Sequence, residues 1–142
     1  SGTIRLPVKE ALGPRLRVLF ESLSEIIDTY RPTVAAIESV FMAKSADSAL
    51  KLGHARGAAM VACVTNELEV FEYAARQIKQ SVVGTGAANK QQVQHMVTAL
   101  LGLSAEPAED AADGLAAALC HCNTQGLASA LSASRFRAGR LR

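Results

Sequence analysis

Three carboxylates in this sequence occupy positions where an acid has chemistry to do or needs a partner. Glu38 follows Pro32-Thr33-Val34-Ala35-Ala36, a short apolar run that reads as a buried strand. Burying an unpaired carboxylate is costly, so a strand-end acid needs a cation or an opening to water. Asp110 and Asp113 stand three apart at the start of an Ala/Leu-rich helix and project from one face. The helix N-terminus favours each exposed negative charge there by about 0.3–1 kcal/mol. Their neighbours in Asp110-Ala111-Ala112-Asp113-Gly114-Leu115-Ala116 are small and leave room for a ligand. Three oxygen donors suit Mg²⁺, a hard ion that keeps several waters. Two such ions about 4 Å apart would activate water and stabilise the leaving oxygen in phosphodiester hydrolysis. A fourth carboxylate normally helps to hold such a pair, and none is well placed. Ordinary structural roles stay open on the residues alone: a strand-end Glu beside a core Phe, and two Asp in a first helical turn.

The cationic and aromatic candidates surround these acids in sequence. Phe41 and Lys44 follow Glu38, so an acid, an aromatic and a base share the lip of one strand. Between Ser39 and Asn66, Lys44, Lys51 and Arg56 face only Asp47. Lys79 and Lys90 flank Gly84-Thr85-Gly86-Ala87-Ala88-Asn89, read here as a flexible connection. Near a metal-bound phosphate a lysine stabilises transition-state charge or neutralises the nucleic-acid backbone, although most lysines are solvated surface charges. An exposed Phe41 would stack on or wedge between bases. The GxG pair in the connection lacks the rest of a dinucleotide-binding pattern and is weak support for a phosphate site.

Length and composition suit one globular domain: 142 residues, 49% apolar, formal net charge +2. Charge is uneven, with Glu106, Glu109, Asp110 and Asp113 unopposed and four arginines between Leu131 and Arg142. Three cysteines make no disulfide framework, and Cys120-His121-Cys122 has no second ligand pair for zinc. Reduced, packed thiols point to a cytoplasmic protein, and no membrane-spanning or signal segment is visible.

The elements that must position these side chains follow from periodicity. Strands are expected at Ser1–Leu6, Thr33–Ser39 and Glu69–Ala74. Helices are expected from Pro14 to Tyr30, from Ser45 to about Leu68, from Arg76 to Val83, from Lys90 to Leu101 and from Asp110 to Asn123. The second helix would bury Leu50, Leu52, Met60, Val61 and Val64, while Gly53, Gly57 and nearby alanines would let another helix, in this chain or a second copy, approach closely. Residues 1–123 form the expected domain and 124–142 a loose basic tail. The order β-α-β-α-β-α-α-α has few strands for an α/β sheet, as though one side were missing.

The run from Ile37-Glu38-Ser39-Val40-Phe41-Met42-Ala43-Lys44 to Leu52-Gly53 closely resembles the central motif of the RuvC family of Holliday junction resolvases. The likeness continues through Phe71-Glu72-Tyr73-Ala74, Gln77-Ile78-Lys79-Gln80, Val83-Gly84, Lys90-Gln91-Gln92-Val93-Gln94 and Asp110 to Ala116, and includes Gly139-Arg140-Leu141-Arg142. It implies a ribonuclease H-like α/β fold, a mixed sheet flanked by helices, acting as a homodimer that nicks opposing strands of a four-way DNA junction. It implies Mg²⁺, or Mn²⁺ in its place, as two ions on Glu38, Asp110 and Asp113. Lys79 and Lys90 match bases needed for activity, Phe41 the aromatic that meets junction bases, and the helix from Ser45 the dimer-forming element. RuvA and RuvB, the branch-migration proteins, are implied partners, and a short thymine-rich cleavage sequence is the implied preference. The family's first strand carries a fourth carboxylate in an Asp-Pro-Gly motif that this sequence lacks, and Ser1-Gly2-Thr3-Ile4-Arg5 resembles its third strand. The expectation from that departure is an impaired catalyst, with a non-catalytic junction-binding module as the alternative. A ribonuclease H-fold enzyme acting on RNA fits the Phe41 stretch and the long helix less well.

Overall fold

The structure is a computed structural model that describes residues 1–7, 9–39 and 45–138, with 127–138 described by backbone alone. The chain forms two compact units, 1–74 and 75–142.

The first unit is built on α1 (Leu12–Tyr30), β1 (Val34–Ser39), α2 (Ala46–Thr65) and β2 (Glu69–Ala74). Pro14 lies in the first turn of α1, where its missing N–H is not needed. The helix stops at Arg31, which takes a left-handed conformation and donates its N–H to Ile27 O at 2.8 Å, and Pro32 cannot continue it. β1 and β2 pair in parallel from Val34↔Glu69 to Ser39↔Ala74, which requires a crossover, and α2 supplies it. Ser45 caps α2, its hydroxyl accepting from Ser48 N at 3.2 Å. The core gathers Ile27, Cys63 and Leu68 with Ala35 and Val70 packed against them. Burial pushes the Cys63 thiol up from its ordinary pKa, so it stays protonated at neutral pH.

The second unit packs α3 (Ala75–Val83), α4 (Lys90–Leu101) and α5 (Glu109–Ala138) against one another. Its buried residues are small or β-branched: Ile78, Val82, Ala88, Val93, Val97, Ala112, Ala116, Ala117 and Cys120. Ala112, Ala116 and Cys120 recur every four residues along α5 and are wholly buried. Gly102 ends α4 in the left-handed conformation, and Leu103 N closes on Thr98 O at 3.0 Å.

Several expectations need correction. Residues 1–7 carry no strand; a strand persists only when paired, and among the described residues only β1 and β2 form a ladder. α2 ends at Thr65 rather than Leu68, because Asn66 caps it and Glu67 turns into the left-handed region. Of the five residues expected on its buried face, Leu50 is 64% exposed, Val61 56% and Val64 62%, Leu52 is also exposed, and Met60 is half-buried. The buried positions of α2 are the small Ala62 and Cys63, which let the helix approach closely. α5 begins one residue earlier than expected, and it runs past Asn123 to Ala138 where a loose tail was expected.

Candidate nucleic-acid cleavage site

Glu38 is the fifth residue of the six-residue β1, half-buried and opposite Tyr73 in the register. It therefore lies at the carboxyl end of its strand, the end at which open α/β sheets carry their ligands. Phe41 and Lys44 lie outside the described residues. Arg56, also expected to meet DNA, pairs with Glu72, so α2 is tied to β2 within the first unit.

Asp110 and Asp113 belong to the second unit, in the first two turns of α5, Asp110 exposed and Asp113 half-buried. Gly114 beside them meets nothing within 4 Å of an added Cβ, so the first turns of α5 are open on that side. The donors are all carboxylate oxygens, the kind a hard divalent cation takes, so the residues fit such an ion in chemistry. Among the described residues, no three His, Cys, Asp or Glu side chains are grouped so as to hold a metal ion.

The connection between the two lysines is held, not flexible. Gln80 donates through Nε2 to Gly84 O at 2.7 Å and accepts from Gly86 N at 3.1 Å, clasping the turn from both sides. Gly84 adopts a φ of 87°, open to glycine at little cost. A Cβ on Gly86 would fall 2.5 Å from Cγ of Arg76, so a larger residue there would force that side chain to shift. Asn89 then caps α4 in a reciprocal box with Gln92, its Oδ1 accepting from Gln92 N at 2.9 Å and its N–H donating to Gln92 Oε1 at 2.9 Å. Lys90 thus opens α4 at a fixed point, and its ammonium pairs with Glu109, the first residue of α5. Lys79 sits half-buried on α3, between buried Ile78 and the clasping Gln80.

Sequence reasoning read Glu109 only as one of an unopposed acidic run, and it missed the Gln80 clasp and the Asn89 cap. Asn89-x-x-Gln92 does spell a capping box, so that signal was present. The Lys90–Glu109 pair spans 19 residues and carries no local signal.

Comparison with known proteins follows from this geometry. Residues 1–121 match the sequence model of the family described as "Crossover junction endodeoxyribonuclease RuvC". A RuvC of Saccharophagus degradans is 64% identical over 142 residues, covering 99% of this chain and 82% of that protein. One of Teredinibacter turnerae is 61% identical, with the same coverage. Among solved structures, Thermus thermophilus RuvC in complex with Holliday junction substrate superposes with a TM-score of 0.81 at 31% identity, over 88% of this chain and 76% of that one. That match gives the α/β fold as the ribonuclease H-like one expected from the sequence.

Proposed function

The chain belongs to the RuvC family of crossover junction endodeoxyribonucleases, and on that premise we propose which of its residues cut and which hold the junction. The family cuts DNA where strands exchange, in recombination and repair. The non-catalytic junction-binding alternative is not favoured, because the relatives matched over 99% of this chain are named as endonucleases.

Asp110 and Asp113 of the second unit and Glu38 of the first would each offer carboxylate oxygens to a divalent cation, Mg²⁺ or Mn²⁺, with two ions implied by the family likeness. Such an ion, when bound, supplies a Lewis acid that acidifies water and stabilises charge on phosphate oxygens. The protein's own residues do the rest. Lys90 carries positive charge to the scissile phosphate from the start of α4, where the capping box fixes its backbone. Lys79 contributes the same sign of charge from α3. Water replaces one ester oxygen at phosphorus, and the positive groups offset the charge that builds there. Phe41 and Lys44 contact junction DNA; Arg56 does so only after giving up Glu72.

The site works in pairs. The outward stripe of α2, Leu50, Gly53, Gly57, Val61 and Val64, has apolar or small side chains at helical spacing and open glycines. An exposed stripe of this kind fits a matching helix of a second copy, and a homodimer presents two sites to two opposing strands. RuvA and RuvB are its partners in the cytoplasm. No helix of the described residues is long and apolar enough to cross a membrane.

What carries the proposal is the convergence at the second unit's helix starts, where the Lys90–Glu109 pair sets a base against the turn that also bears Asp110. The test is Glu38→Gln on a synthetic four-way junction with Mg²⁺. The nuclease loses nicking by at least about 100-fold with binding intact. Unchanged nicking contradicts the assignment of Glu38.

A further inference from the structure

We infer that Glu109 is a positioning residue that holds the Lys90 ammonium at the first turn of α5 until a DNA phosphate takes its place. The inference rests on the nuclease reading above and adds a residue to it.

Two separate ties lash the start of α4 to the start of α5. Lys90 pairs with Glu109, and four residues along α4 the Gln94 amide donates to Pro107 O at 3.1 Å, just ahead of Glu109. Beneath them Val93 and Val97 on α4 and Ala112 and Ala116 on α5 are buried, so the two helix starts share a firm base. At its near end, the Asn89–Gln92 box fixes the backbone of Lys90. Only the lysine's four-carbon stem remains to be placed, and a lysine stem is flexible. Glu109 places it, one residue before Asp110.

Glu109 also occupies the charge it places. Lys90 and Glu109 are both solvent-exposed, so their pairing is weak enough to exchange for a phosphate. The carboxylate therefore acts before cleavage: it keeps the Lys90 ammonium at the helix start in the free protein and competes with DNA for it in binding. A plain helix-capping acid would not compete for Lys90; its loss would lower stability and drag binding and cleavage down together.

The experiment is Glu109→Gln in the full chain, which keeps the side chain's size and removes its charge. In the free protein, the NMR resonance of the Lys90 ammonium should shift. With chelator present, four-way-junction binding should tighten about two- to fivefold at low salt, with the log K against log salt slope steeper by up to about one. With Mg²⁺ and saturating protein, single-turnover nicking should stay within about twofold of wild type, because DNA has by then displaced Glu109 from Lys90. In a Lys90→Ala background, Glu109→Gln should leave the salt slope unchanged. An unmoved ammonium resonance overturns the inference, as does a parallel fall of binding, cleavage and thermal midpoint. If the wild-type chain neither binds nor nicks the junction, the nuclease reading fails, and the ammonium resonance of the free chain still decides whether Glu109 holds Lys90.

Discussion

In the first unit Leu50, Val61 and Val64 stand on the outer face of α2, and the core beneath is made of Ile27, Cys63, Leu68 and small residues. In the second unit Val93, Val97, Ala112, Ala116 and Cys120 are buried, and the charged residues Lys90, Glu109 and Asp110 are exposed around the helix starts. The first unit thus carries large exposed aliphatic side chains along one helix face, whereas the second buries small and β-branched ones between its helices and exposes Leu100, Leu101 and Leu103 at the end of α4. Contiguous exposed apolar stripes mark interaction sites in many proteins. A small-residue core between helices instead fixes their starts closely, which is what side chains that meet a phosphate require. The proposed partner face thus lies in the first unit with Glu38, and the proposed lysines and aspartates lie in the second.

The sharpest way to break that contrast is to remove the chemistry from the second unit. Asp110→Asn should lower the single-turnover nicking rate by about 100- to 1,000-fold, leaving junction affinity within a few-fold of wild type. Measuring both on the same preparation separates a lost ligand from a lost fold. A smaller effect is expected in the first unit: Val61→Lys should weaken self-association about tenfold or more by placing a charge on the α2 stripe. Sedimentation equilibrium reads it, and the thermal midpoint at low concentration should hardly move because Val61 is already 56% exposed. The smallest effect belongs to the cap that places Lys90. Asn89→Ala should cost about 1 kcal/mol of stability in chemical denaturation, with nicking reduced more than binding.

The elements were legible where periodicity and caps agree. β2 at Glu69–Ala74 and α4 at Lys90–Leu101 lie where the sequence puts them. The face of α2 was not, because spacing at 3.6 residues marks an apolar stripe without saying whether it turns to a core or to solvent. Its buried side is built from Ala62 and Cys63, which read as weaker apolar signals than Leu50 or Val61. Gly84 to Asn89 looked flexible because glycines were weighed and the Gln80 clasp, a contact across the turn, was not. Ser1–Leu6 looked like a strand because local pattern cannot report a missing ladder partner. The carboxylates and lysines stood out by type and by likeness to the RuvC motifs. Glu109 did not, since its importance lies in a tertiary contact with Lys90.

The most direct test of the central claim is to incubate the purified chain with a synthetic four-way junction, first with Mg²⁺ and then with chelator, and to map nicks on all four strands. The account predicts paired nicks on two opposing strands with metal, none with chelator, and binding in both. Nicks that persist in chelator, or that survive in the Asp110→Asn chain at the wild-type rate, would contradict it.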